Sequence, residues 1–311
     1  MKYEFSVVVP VLNEEKSIAE LVSKTEKAFA DLKKSFEIIF IDDGSTDSTF
    51  SILKDLESKE ENVRVYSFRR NLGKSHAMML GFAKAQGQYI LTLDGDLQDD
   101  PKNVHAMFEK MTSSNLDIVT GWRKNRKDAP HKILSSKLFN SLVSYLFGIT
   151  VNDMNSGLKL YKADAAKELK LYGGMHRFVP VIANEMGFFV GEVPTSHFKR
   201  KYGVSKYKST KIFSDIPDLI TIYFLTKYTR RPLHFFGKIG GSVFVIGIVI
   251  LMYLSYLHFI GQAIGDRPLL LFGVLLVIAG MQTMFTGLLA DLFVNLSSKE
   301  ETFPLRYESK K

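Results

Sequence analysis

Two carboxylates close the run Leu91-Thr92-Leu93-Asp94-Gly95-Asp96-Leu97-Gln98. An apolar-rich stretch ends abruptly there, with the acids two positions apart. In a continuing strand, side chains alternate and both would point the same way. At a strand end, the spacing instead lets both sets of oxygens converge on one cation. Carboxylate oxygens suit Mg²⁺ or Mn²⁺, ions that usually serve phosphate-bearing substrates. The pattern points to a nucleotide diphosphate. Surface turns also produce Asp-x-Asp, so the surrounding elements have to decide.

Those elements have a clear rhythm. Phe5–Val11 is a β-branched apolar run of the kind buried on both faces of a sheet. Asn13-Glu14-Glu15 opens a helix with Ile18, Leu21, Val22, Thr25, Ala28 and Phe29 at helical spacing. Phe36–Ile41 reads as a second buried strand, ending in Asp42-Asp43-Gly44-Ser45-Thr46-Asp47. Helices are expected over Ser48–Leu56 and Lys74–Ala85, with strands at Val63–Phe68 and Tyr89–Leu93. Asp117–Thr120 is a further short apolar run. The βαβα order predicts a mostly parallel sheet. Ligands of such sheets sit beyond the carboxyl ends of the strands. The polar runs after strands one, two and four all fall there, which argues that they act together.

The composition divides the chain. Its 311 residues suffice for one large domain or two. Ile239–Ile260 and Pro268–Ala290 contain no Asp, Glu, Lys or Arg. About 20 such residues match the hydrocarbon thickness of a bilayer, so each is a candidate span. The short link 261–267 makes them a hairpin. Lys227, Arg230, Arg231 and Lys238 precede it, and Lys299, Arg306, Lys310 and Lys311 follow it. By the positive-inside rule both flanks, and with them the large N-terminal part, are expected in the cytoplasm. The N-terminus opens directly into a strand with no signal-peptide core. There is no cysteine, so disulfides and thiolate chemistry are excluded.

Net charge is +8. The excess is local: Arg123, Lys124, Arg126, Lys127, Lys132 and Lys137 in one cluster, and Lys199, Arg200, Lys201, Lys206, Lys208 and Lys211 in another. Beside a membrane anchor, such clusters suit lipid phosphate. No nucleic-acid motif accompanies the charge, so nucleic acid is not an expected partner. Residues 133–147 alternate at helical period, and their apolar face suits either the membrane surface or packing on the sheet. Lys211–Tyr228 is a second amphipathic stretch leading into the first span.

The combination of Val9-Pro10-Val11-Leu12-Asn13-Glu14, Ile41-Asp42-Asp43-Gly44-Ser45-Thr46-Asp47, Asn71-Leu72-Gly73-Lys74 and Asp94-Gly95-Asp96-Leu97-Gln98-Asp99-Asp100-Pro101 resembles family 2 glycosyltransferases. More narrowly, it is similar to polyprenyl-phosphate glycosyltransferases, the dolichol-phosphate mannosyltransferases and bacterial undecaprenyl-phosphate glucosyltransferases among them. Asn152 to Lys159, Met175-His176-Arg177-Phe178-Val179-Pro180 and Arg200 to Tyr207 fit that subgroup, and the two-span hairpin matches its bacterial branch. The resemblance runs from Val7 to about Leu296.

It implies a GT-A nucleotide-diphospho-sugar transferase domain over residues 1–210. A juxtamembrane amphipathic helix over 211–233, the spans within 234–296 and a cytoplasmic tail over 297–311 would follow. Pro10, Asn13 and Glu14 would border the nucleotide pocket. Asp42 would accept hydrogen bonds from base or ribose, and Asp43 and Asp47 would cap the following helix. Asp94, Asp96 and Gln98 would hold Mg²⁺ or Mn²⁺ and neutralise the departing diphosphate. Lys74 would either contact that diphosphate or stand solvated in a first helical turn. Asp153 would serve as a base or orient the sugar; the acceptor, a phosphate monoester largely ionised near neutral pH, hardly needs a strong base. Arg123, Lys132 and Arg200 would clamp the lipid phosphate, with Ser205 and Lys206 in an acceptor loop. The family usually carries Arg where this chain has Lys132, and Arg-Pro where it has Phe198-Lys199; a lysine keeps the charge but not the planar fork.

The expected activity is inverting transfer of a sugar from a nucleotide diphosphate, UDP favoured, to polyprenyl phosphate on the cytoplasmic leaflet. A processive polysaccharide synthase would need a Gln-x-x-Arg-Trp motif, and none is present; Trp122 is the single tryptophan. A non-catalytic membrane scaffold sits poorly with intact Asp94, Asp96, Gln98 and Asp153. Gly237, Gly240 and Gly241 offer a small-residue face suited to homo-oligomers, though such faces are common in membrane helices. The donor sugar is not legible.

Overall fold

The computed structural model describes residues 3–124, 141–149, 151–202, 211–228, 231–265 and 267–297, without the side chains of 211–216, 218 and 295. Lys132, Ser205 and Lys206, residues 133–140 of the amphipathic stretch and nearly all of the C-terminal tail lie outside the described residues. The chain forms two units, Met1–Leu219 and Ile220–Lys311.

The first unit is built on a seven-stranded sheet. Its strands are β1 (Phe5–Val11), β2 (Phe36–Asp42), β3 (Val63–Ser67), β4 (Tyr89–Thr92), β5 (Ile118–Trp122), β6 (Lys159–Lys162) and β7 (Val190–Pro194). Their spatial order is β3-β2-β1-β4-β6-β5-β7. The β2–β3, β1–β2, β1–β4 and β5–β7 pairs are parallel, whereas β6 runs antiparallel to both β4 and β5. The direction of travel reverses between β1 and β4, which opens a crevice at their carboxyl ends. The sheet is therefore mostly parallel, as the sequence predicts. Neither β6 nor β7 is signalled by the sequence pattern: each is short, and β6 carries two lysines.

Helix α1 (Ile18–Leu32) buries the stripe read from the sequence: Ile18, Leu21, Val22, Thr25, Ala28 and Phe29. It ends where Lys33 takes a left-handed φ of 57°. The rest of the layer is α2 (Thr49–Lys59), α3 (Lys74–Lys84), α4 (Val104–Ser113), α5 (helical over 141–147), α6 (Ala163–Glu168) and α7 (Val179–Glu185). Phe5 anchors the core under α1 and α4, with edge contacts to Phe29 and Phe108 at 5.3 and 5.2 Å, and Phe29 stacks on Phe36 at 4.6 Å. In α5, Val143 and Phe147 are buried while Leu142 and Tyr145 are exposed.

Far from the crevice, at the amino end of the sheet, Glu37 is wholly buried and fully paired. It accepts from Ser6 Oγ at 2.6 Å, Gln86 N at 2.8 Å and Arg64 Nη1 at 2.9 Å.

Helix α8 (Lys211–Lys227) carries Pro217 in its interior, and the division between the two units falls within it. In the second unit, α9 (Pro232–Phe259) and α10 (Pro268–Ser297) form an antiparallel pair, each reaching beyond the charge-free windows. Gly287 lies opposite Leu233 and Phe236, Gly280 opposite Gly240 and Phe244, and Gly273 opposite Leu251. At Gly280 a Cβ would sit 2.5 Å from Phe244 N, so the two backbones touch there because no side chain intervenes. Val245, Val249, Tyr253 and Tyr256 on α9, and Leu271, Leu275 and Leu292 on α10, face outward. Mean hydropathy of each span is 2.1, with 11% of its most apolar window buried. At 1.5 Å per residue, helices of this length exceed the ~30 Å hydrocarbon layer. An apolar exterior on so long a pair matches lipid rather than water.

Candidate active site

The loops after β1 and β2 are sewn together. Asn13, at φ 51°, donates its N–H to Ser45 Oγ (2.9 Å) and accepts Thr46 N–H on Oδ1 (2.8 Å). Glu14 N–H reaches Thr49 Oγ1 at 2.8 Å, and Glu15 accepts from Ser48 N at 3.1 Å. Pro10, half-buried in β1, pairs with Ile41 beneath this seam. Asp42 is 1% exposed and spends its carboxylate internally, on Ser45 N (3.0 Å) and Ser67 Oγ (2.6 Å). Asp47 accepts from Thr49 N at 2.9 Å at the start of α2, as expected of a cap. Asp43 does not cap that helix. It reaches across to Leu72 N (2.7 Å) and Gly73 N (3.0 Å), holding the entry to α3, because β2 delivers it beside that loop.

That entry matters because Lys74 is the first residue of α3, and its Nζ binds Asp94 Oδ1. Asp94 follows the end of β4. Asp96 Oδ1 accepts Gln98 N–H at 3.1 Å, in a turn that needs φ 61° at Leu97. Its Oδ2 accepts Arg200 Nη2 at 2.6 Å, and Arg200 Nη1 lies 3.6 Å from Glu14. The 197–200 segment is held beside this turn by Phe198 N→Gln98 O (2.8 Å), Gln98 Nε2→Phe198 O (3.3 Å) and His197–Asp99 (3.1 Å).

The two acids titrate apart. Burial pushes the Asp96 carboxyl above the ordinary range and Asp94 adds to the rise, against the Gln98 N–H and Arg200. At Asp94 burial acts upward too, but Lys74 overrides it, aided by Lys159 and His176, and the carboxyl ends below the ordinary range. This donor set fits a hard divalent cation: neighbouring carboxylates, one destabilised by the other's charge, with the neutral Oε1 of Gln98 unclaimed among the described residues. The room for Asp94 is built in, because a Cβ on Gly157 would lie 2.5 Å from Asp94 Oδ2. Lys74 and Arg200 neutralise the two acids in this structure.

Across the crevice, Arg123 forks onto Asp153, Nε to Oδ2 at 2.6 Å and Nη2 to Oδ1 at 2.9 Å. Their side chains are 12% and 8% exposed. Burial works against the guanidinium's charge, yet Asp153 outweighs it and holds Arg123 above its ordinary pKa. Two expected roles, acceptor clamp and possible base, thus meet in one ion pair.

The structure also brings in residues that sequence reasoning gave no role. Antiparallel β6 pairs Lys159 with Thr92, setting the 153–157 turn beside Asp94. Lys159 is 2% exposed, and its Nζ donates to Ser156 O. Its signal was a lysine inside the apolar run Leu158–Tyr161. His176, in a short 3₁₀ turn, donates its backbone N–H to Ser75 Oγ at 3.2 Å. Burial, Lys74, Arg177 and Lys159 push its imidazole down to about 3, so it is neutral.

Comparison with known proteins supplies a family and a fold. The glycosyl transferase family 2 profile matches residues 6–170. The chain is 37% identical to a dodecaprenyl-phosphate galacturonate synthase of Rhizobium johnstonii, over 97% of this chain and 90% of that one. It is 32% identical to an undecaprenyl-phosphate 4-deoxy-4-formamido-L-arabinose transferase of Pseudomonas syringae, over 96% and 88%. A solved glucosyl-3-phosphoglycerate synthase from Mycobacterium tuberculosis, in complex with Mn²⁺, UDP and phosphoglyceric acid, superposes with TM-score 0.54 at 16% identity. It covers 72% of this chain and 78% of that one, a likeness of fold.

Proposed function

The chain belongs to glycosyl transferase family 2, among its polyprenyl-phosphate glycosyltransferases, and from that premise we propose that it moves a sugar, with inversion, from a UDP-sugar to polyprenyl phosphate on the cytoplasmic leaflet. The observation that carries the reading is the convergence of five segments on one crevice: the ends of β1, β2 and β4, the 153–157 turn and the 197–200 segment.

A phosphate oxygen of the lipid attacks the anomeric carbon from the face opposite the departing diphosphate. The nucleophile is already ionised, so catalysis is mainly positioning and charge stabilisation. Pro10, Asn13, Glu14 and Asp42 shape the nucleotide side. Asp94, Asp96 and Gln98 would hold Mg²⁺ or Mn²⁺, which supplies positive charge to the leaving diphosphate. Lys74 and Arg200, held close by at these acids, provide cations for the donor and acceptor phosphates once released. Asp153 holds Arg123 in a fixed fork toward the acceptor rather than taking a proton. Lys132, Ser205 and Lys206 complete the acceptor side of the proposal. The apolar hairpin keeps the enzyme on the membrane that carries its lipid.

The test is transfer of radiolabelled sugar from UDP-sugars into a chloroform-soluble product by the full-length protein. Transfer that persists in excess chelator, or that Asp96→Asn leaves intact, refutes the metal assignment. Failure with every polyprenyl phosphate refutes the acceptor.

A further inference from the structure

Lys74, Arg123 and Arg200 each hold a carboxylate in the first unit's crevice. Lys159 does not. Among the described residues no acid lies within ion-pair distance of it, and its Nζ finds the carbonyl of Ser156 instead. At 2% exposure it touches almost no solvent. A buried ammonium without a counter-ion costs a fold stability. Burial pushes Lys159 down to about 7; Lys74 acts the same way, while Asp153 and Asp94 oppose. A residue that weakens the ligand-free fold is a sign of function kept at the expense of stability.

The neighbours indicate what it serves. Ser156, the carbonyl it grips, sits in a short turn. At one end of that turn Asp153 forks Arg123. At the other, Gly157 abuts the Asp94 carboxylate, and its carbonyl receives Thr92 Oγ1 at 2.8 Å. One ammonium therefore tethers the turn that joins the two charged ends of the crevice.

We propose that Lys159 is a positioning residue for sugar transfer: it pins the 153–157 turn at Ser156 and supplies, from beneath the crevice, a positive charge that the bound donor's diphosphate balances in place of any acid of the chain. The inference rests on the nucleotide-sugar reading above. Lys159 acts through the turn and through its field, without touching the substrate.

The test compares full-length wild type with Lys159→Met and Lys159→Gln in detergent. Thermal unfolding is followed without ligand, Mn²⁺-dependent binding of UDP and GDP is titrated, and transfer is measured at saturating donor. Both variants should unfold at or above the wild-type temperature. Their nucleotide affinity should fall about tenfold, the scale of one unit charge felt through protein, and turnover should fall further. A purely structural lysine gives the opposite: lower unfolding temperature with unchanged nucleotide affinity, which overturns the proposal. Wild type that binds neither nucleotide overturns the donor reading and this inference with it. Wild-type binding retained by both variants overturns this inference alone.

Discussion

If Asp153 works by holding Arg123, the two residues are one catalytic unit, and a double-mutant cycle will show it. The perturbations are Asp153→Asn and Arg123→Lys, alone and together. In the native pair two charge-assisted hydrogen bonds, at 2.6 and 2.9 Å, join side chains that are 8% and 12% exposed. Each such bond contributes about 1.5–3 kcal/mol. Asp153→Asn keeps an oxygen and the shape but loses the charge. Arg123→Lys keeps the charge but loses the fork. Either single change therefore forfeits roughly one bond and its hold on geometry, about 10- to 100-fold in kcat/KM. The double variant should be no more than a few-fold worse than the poorer single, because the unit is already broken. The coupling energy then equals about one bond, 1.5–3 kcal/mol. The assay is sugar transfer to a short-chain polyprenyl phosphate at saturating metal, with thermal unfolding as a control for folding. Two results refute the reasoning. One is multiplicative loss in the double variant, which makes the residues independent. The other is Asp153→Asn abolishing transfer while Arg123→Lys leaves it within about twofold, as expected of a true general base.

Other expectations test the same structure at other points. Arg200 is held by Asp96, so Mn²⁺ should tighten binding of farnesyl phosphate, and Asp96→Asn should bind it tightly without metal; equal affinity with and without Mn²⁺ in wild type contradicts the exchange. Gly157→Ala would press a methyl against Asp94 and should cost up to about 100-fold in turnover with little change in unfolding temperature. Glu37→Leu strands Arg64, Ser6 and Gln86 N–H at the end of the sheet opposite the crevice, and should destabilise by about 3 kcal/mol, the lower end for a broken buried pair since Arg64 is 27% exposed, while the folded enzyme keeps its KM. His176 has a folded pKa near 3 against an ordinary 6.5, so the unfolded chain takes up the extra proton. Its share of stability is present above about pH 6.5 and is lost progressively as pH falls toward 3. His176→Gln should flatten unfolding temperature against pH across that window.

Local chemistry and periodicity determine much of this protein. The β-branched runs of β1 and β2, the buried stripe of α1 and the two charge-free spans follow from residue type and spacing alone. Asp94, Asp96 and the loops after β1 and β2 were readable because parallel sheets put ligands at strand ends. Long-range pairing was not readable. No local signal makes β6 run antiparallel between β4 and β5, and its four residues are too few for a period to show. Yet that strand brings Lys159 and Gly157 to Asp94, and sets Asp153 beside Arg123 thirty positions away. Asp43 crossing to α3, and Arg200 crossing to Asp96, are likewise facts of register and packing. Sequence names the charged groups; only their burial and mutual distances, which depend on how the sheet closes, decide which are already paired and which await a ligand.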